Sequence, residues 1–232
     1  MPRNRPKALI AIALTASAAL AGCQQPKILD ELPIDPLVSP SPPRPAPRLP
    51  AIARLPAVPR PQEASVPDGW IPAAAARQWK WIVLHHSASD GGSAELFDQW
   101  HRQRGWDELG YHFVITNGHG GGDGRVEVGG RWTKQKWGAH CKVPGNAYND
   151  QGIGICLVGD FQDHPPSAAQ LASLGRLVEF LCARYDIDPD DVIGHRDAPG
   201  TRTECPGNAM QRYIDSALRP RLKRQSRLAK SR

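Results

Sequence analysis

No apolar run in this sequence reaches the roughly 18 residues that a helix needs to cross a bilayer, so no membrane-spanning helix is expected. There is no Cys-x-x-Cys pair and no His-x-His pair, so any metal ligands are scattered along the chain rather than announced by a local rhythm. The glycine-rich stretch from Gly118 to Gly124 follows a strand-like segment but opens no helix and lacks the lysine and the serine or threonine of a phosphate loop. It reads as a hairpin loop. No internal repeat is present. Acidic residues are missing altogether from residues 219–232, which hold 7 of the 29 Lys and Arg, whereas residues 70–218 carry 14 Lys and Arg against 18 Asp and Glu. The net charge of +6 therefore arises outside the body of the chain, which lacks the basic balance of a nucleic-acid-binding domain. No nucleic-acid partner is expected.

Proline is the residue in excess, 23 in 232 positions, and its distribution is uneven. Residues 26–67 hold 13 of them, which favours a semi-rigid polyproline II spacer reaching on the order of 100 Å if fully extended. Ahead of it, residues 1–22 read as an export signal: Arg3, Arg5 and Lys7, then an apolar stretch from Ala8 to Ala21, then small residues. The closing Leu20-Ala21-Gly22-Cys23 resembles the bacterial lipobox, which implies cleavage before Cys23 and lipid on that cysteine. Several acyl chains make a stable anchor where one is marginal. The chain thus divides into a lipoprotein signal peptide (1–22), a lipidated Cys23 with its Pro-rich linker (23–69), a folded domain (70–218) and a basic tail (219–232). The tail is expected on anionic lipid, on anionic wall polymer, or simply solvated. The expected location is the cell envelope, lipid-anchored, and for a Gram-negative source the outer membrane facing the periplasm.

Residues 70–218 read as a single α/β domain, a central mixed β-sheet flanked by helices. Trp79–Leu84, Tyr111–Ile115, Arg125–Val128, Ile153–Val158 and a short piece at Val192-Ile193 are the strand candidates. Ile153–Val158 is apolar on both faces and so central. Ser93 opens a helix carrying Leu96, Phe97 and Trp100 on one face. Ser167 and Gln170 are spaced as a capping box for a second helix, with Leu171, Leu174, Leu177, Val178 and Leu181 at helical intervals to about Tyr185. A last helix runs from about Asn208 to Leu218.

Two histidines stand at the ends of apolar strands, His85 and His195, and Cys205 follows ten residues after the second. Zinc takes imidazole and thiolate ligands, and a catalytic zinc site uses three protein ligands and leaves a position for water. By type and position alone a single histidine near a strand is more often structural than a ligand, so these three residues also read as structural histidines and a buried thiol.

Six blocks together resemble one family: Trp81–Ala88, Leu109–Ile115, Gly138-Ala139-His140 with Tyr148-Asn149, Gly152–Gly159, Gly194–Asp197 and Thr203–Gly207. In this order they are similar to the motifs of the zinc-dependent N-acetylmuramoyl-L-alanine amidases of type 2, which include phage amidases and peptidoglycan recognition proteins. The resemblance covers roughly residues 75–218. It implies Zn2+ on His85, His195 and Cys205, with Tyr111 and Thr203 catalytic and His86, His140 and Asn149 in the substrate set. Thr203 stands where phage members carry a lysine, and Cys156 where some bacterial members carry a glutamate base. The implied reaction is hydrolysis of the amide between N-acetylmuramic acid and L-alanine, with peptidoglycan or muropeptides as partners and a monomer as the working form. The implied alternative is a recognition module that binds peptidoglycan without cutting it. A zinc peptidase acting on the stem peptide is disfavoured, since its usual ligand set includes a His-x-His pair.

Overall fold

The computed structural model describes residues 66–231, so the expected signal segment, Cys23 and nearly all of the expected proline-rich linker lie outside the described residues. The strands are β1 (Trp81–His86), β2 (Phe113–Ile115), β3 (Val126–Val128), β4 (Gly152–Leu157) and β5 (Val192–Gly194), in the order β3-β2-β4-β1-β5. β1 pairs parallel with both β4 and β5, β2 pairs parallel with β4, and β3 closes a hairpin antiparallel to β2. This is the mixed sheet expected from the alternation of apolar runs and helical segments. β4 is buried at all six positions and lies at the centre, as a run that is apolar on both faces must. β2 is shorter than its apolar run, because a bend at His112 keeps Tyr111 and His112 outside the strand.

The helices are α1 (Ala94–Gln103), α2 (Gly130–Thr133), α3 (Ala147–Asp150), α4 (Ala168–Tyr185), α5 (Asn208–Tyr213) and α6 (Arg219–Lys230). The Ser93 side chain accepts from the Leu96 amide to cap α1, and Ser167 and Gln170 form a complete capping box on α4. Side chains alternate across a strand. Ile82 and Leu84 of β1, Phe113 and Ile115 of β2, and Ile153, Ile155 and Leu157 of β4 pack with Leu174, Leu177, Val178 and Leu181 of α4 in one cluster. Each such side chain contributes roughly 1.5–3 kcal/mol when fully buried. The interleaved positions Val83, Val114 and Cys156 point to the other face, into smaller clusters. On that second face Val114 and Cys156 pack with Phe97 of α1.

The C-terminal segment corrects the expectation of a basic tail. A π-helical turn, Ile214–Leu218, joins α5 to α6, and Ile214, Leu218 and Leu222 enter the same core as α4. Arg219 pairs with Asp215 at 2.7 Å and donates to the Val192 carbonyl at 3.0 Å, Lys223 pairs with Asp190 at 2.6 Å, and Arg221 pairs with Glu179. The apolar residues recur every four positions between the cations, so a count of charge alone hides the helix.

Candidate metal centre

Parallel pairing explains how residues far apart in sequence meet. Leu84 is in register with Gly194, so His85 at the end of β1 and His195 just past β5 emerge side by side at the carboxyl ends of the strands, with ring centroids 4.5 Å apart. Ligand sites of open α/β sheets collect at this edge. Cys205 is brought there by the loop that follows β5: the Arg196 amide donates to the Cys205 carbonyl at 2.9 Å, and the His86 amide donates to Cys205 Sγ at 3.4 Å. One donor atom from each of His85, His195 and Cys205 lies within 4.8 Å of the other two.

Burial governs the charge state of all three. It pushes the Cys205 thiol up to about 12 and His195 down to about 4. His85, only 1% exposed, falls well below its ordinary value, first through desolvation and then through the neighbouring imidazoles His195, His140 and His86. The centre is a pocket of neutral nitrogen and sulfur donors. Two imidazoles and one thiol are the borderline-soft set that Zn2+ takes, and three protein ligands leave room for a fourth.

Tyr111 is half-buried, its ring centroid 5.2 Å from that of His85. Burial, followed by the Cys156 and Cys205 sulfurs, pushes its hydroxyl well above the usual phenol value, so it holds its proton. Thr203 Oγ1 accepts from the Cys205 amide at 3.1 Å. Its own proton remains available to donate.

Of the three residues expected in the substrate set, His140 and Asn149 are buried and His86 is half-buried. Asn149 is 2% exposed, and its Oδ1 accepts from the amides of His140 and Cys141 at 2.7 and 2.8 Å. His140 is 8% exposed and lies behind His85, with His140 Nδ1 3.0 Å from His85 Nε2. His86 Nδ1 accepts from the Phe161 amide at 3.3 Å, and its ring faces Asp160 and Phe161. These residues brace the loops around the centre.

Sequence reasoning passed over Arg131, which is 2% exposed. It donates from Nε to the Leu109 carbonyl at 2.6 Å and from Nη1 to the Trp137 carbonyl at 2.7 Å, and pairs with Asp107. The clamp ties the segment leading to Tyr111 to the segment leading to His140. A lone arginine before a tryptophan carries no sequence signal for that role. Away from the centre, an open depression of about 480 Å³ lies between the start of α1 and β3, lined by Ser93, Arg125 and Glu127 among others and by none of the three donor residues.

The family model described as N-acetylmuramoyl-L-alanine amidase matches residues 75–208. The chain belongs to this family. Among similar proteins, the endolysin of Escherichia phage T7 is 38% identical over 113 residues, spanning 45% of this chain and 68% of the endolysin. Peptidoglycan-recognition protein 2 of Holotrichia diomphalia is 32% identical over 137 residues, spanning 53% of this chain and 67% of that protein. Among solved structures, N-acetylmuramoyl-L-alanine amidase LysC from Clostridium intestinale URNW aligns with a TM-score of 0.51 at 29% identity, covering 65% of this chain and 86% of that one. The family match ends at α5, and α6 lies beyond it.

Proposed function

We propose that this domain is a zinc hydrolase that cleaves the amide between the lactyl group of N-acetylmuramic acid and L-alanine in peptidoglycan. The reading is carried by one observation, the convergence of His85, His195 and Cys205 donor atoms within 4.8 Å at the carboxyl edge of the sheet. Zn2+ bound there would supply a Lewis acid and lower the pKa of a coordinated water to roughly 7. The chain's own groups do the remaining work. Tyr111, protonated at neutral pH, donates a hydrogen bond from its hydroxyl towards the negative charge that develops on the amide oxygen. Thr203, braced by the Cys205 amide, holds a second hydroxyl beside the metal ligand where phage relatives carry a lysine. The buried imidazoles, neutral at working pH, keep two lone pairs ready for the metal.

The proposal extends to the chain's placement. Lipid on Cys23 would fix the protein to a membrane of the cell envelope, and the proline-rich spacer would carry the domain to its polymer. A second reading is binding without hydrolysis, and it draws on the relative named as a recognition protein together with Thr203 in place of the lysine.

The test incubates the full chain with peptidoglycan in the presence and absence of Zn2+ and reads the new ends by mass spectrometry. Stem peptides with a free L-alanine amine, formed only with metal, are the expected products. Retention on peptidoglycan with no new ends would select the recognition reading, and ends within the stem peptide would make the domain a peptidase.

A further inference from the structure

His140 is 8% exposed and is held from several sides. A β-carbon added at Gly138 or at Gly154 would lie 2.3 Å from His140 Cδ2, so both glycines are needed to admit the ring. Its backbone amide is fixed by Asn149 Oδ1 at 2.7 Å, and the Gly138 amide donates to the Asn149 carbonyl at 2.9 Å. The ring then spans two contacts: His140 Nε2 is 3.2 Å from the Gly152 carbonyl oxygen, and His140 Nδ1 is 3.0 Å from His85 Nε2. The remaining nitrogen of His85, Nδ1, is 3.7 Å from Cys205 Sγ.

These contacts fix the protons by elimination. A carbonyl only accepts, so His140 Nε2 carries hydrogen. A buried neutral imidazole carries one hydrogen, so His140 Nδ1 is a lone pair. It therefore accepts, and the hydrogen between the rings belongs to His85 Nε2. His85, neutral in turn, presents the lone pair of Nδ1 towards Cys205.

We infer that His140 is a positioning residue: anchored on the Gly152 carbonyl and seated between Gly138 and Gly154, it selects the His85 tautomer that leaves Nδ1 free to bind metal. The inference rests on the zinc reading given above. It deepens that reading by assigning the orientation of one ligand to a residue outside the three clustered donors. Partners of this kind, hydrogen-bonded to the far nitrogen of a metal-bound histidine, typically change metal affinity by about 10–100-fold.

Two substitutions separate the hydrogen bond from packing. Asparagine keeps an acceptor at the position of His140 Nδ1, whereas phenylalanine keeps a ring and removes the acceptor. With the full chain and a competing chelator, His140→Phe is expected to weaken Zn2+ binding about 10–100-fold, and His140→Asn to restore it to within a few-fold of the parent. In Co2+-loaded protein, the visible absorption bands should shift in the phenylalanine variant and return in the asparagine variant. Equal Zn2+ affinity in the parent and both variants would overturn the inference while leaving the zinc reading intact, and a parent chain that binds no Zn2+ would overturn both. Should the phenylalanine variant not fold, the parent decides alone. Two-bond proton–nitrogen correlations on the metal-free, 15N-labelled chain are expected to place the His85 proton on Nε2, and a proton on Nδ1 would overturn the inference without reference to zinc.

Discussion

His85 Nδ1 and Cys205 Sγ stand 3.7 Å apart across a sequence separation of 120 residues. Neither residue sits in a local motif that requires the other. What joins them is the parallel β1–β5 pairing, which delivers His85 and His195 to one edge, and the loop after β5, whose Arg196–Cys205 backbone bond folds the thiol back over that edge. The contact is a product of topology, and this makes it a sensitive place to probe.

Replacing the thiol tests the centre directly. Cys205→Ala removes a donor atom and is expected to reduce bound zinc from about one ion per chain to a trace, with loss of amide hydrolysis greater than the roughly 10–100-fold that an outer partner costs. Chelation of the parent chain should abolish turnover and added Zn2+ should restore it, while the variant stays inactive at the same Zn2+ concentration. Metal content by elemental analysis and release of L-alanine ends are the two readouts. Full activity in the variant would remove Cys205 from the ligand set.

Tyr111 offers a finer cut. Tyr111→Phe keeps the ring beside His85 and deletes only the hydroxyl. Zinc content should be unchanged and KM little altered, while kcat falls by about 10²-fold, the range for loss of one hydrogen-bond donor to a developing oxyanion. A kcat within twofold of the parent would reduce Tyr111 to a packing residue.

The fold and the centre were legible to different depths. The alternating strands, the capping box at Ser167 and Gln170, and the stripe from Leu174 to Leu181 are local patterns, and each stands in the structure where its spacing puts it. Residues at strand ends drew attention to His85 and His195 for the same reason. The burial of His140 and Asn149 was not legible, because burial depends on which loops close over a residue and not on its neighbours in sequence. Arg131 was hidden likewise, since its partners are carbonyls, and every residue has one. α6 was missed because its cations dominate the composition while only Leu222 reaches the core.

That helix yields a prediction of stability. Leu222 is 3% exposed within the core cluster, and Leu228, two turns further on, is 65% exposed. Leu222→Ala is expected to lower the free energy of unfolding by about 2–5 kcal/mol, and Leu228→Ala to change it by less than about 0.5 kcal/mol. Denaturant unfolding of the two variants compares them under the same conditions. Equal, negligible effects would return residues 219–230 to the status of a solvated tail.

Two histidines away from the metal donors make the fold sensitive to acid. His101 Nδ1 accepts from the Gly110 amide at 3.0 Å, and His112 Nδ1 accepts from the Gly154 amide at 2.9 Å. A proton on either Nδ1 breaks its bond. Burial is the main force holding both at about 4, against an ordinary value of 6.5. With the folded value below the unfolded one, the unfolded chain takes up more protons between these limits. Stability is therefore complete above about pH 6.5 and declines as the pH falls towards 4, by on the order of 3 kcal/mol for each residue at 1.36 kcal/mol per pKa unit. His101→Asn keeps an acceptor for the Gly110 amide and takes up no proton. Near pH 5 its unfolding free energy should depend less steeply on pH than that of the parent, by about one proton, or roughly 1.4 kcal/mol per pH unit. Since every other histidine is common to both chains, identical slopes would mean that His101 titrates alike in the folded and unfolded states, and that its burial has no part in the acid response.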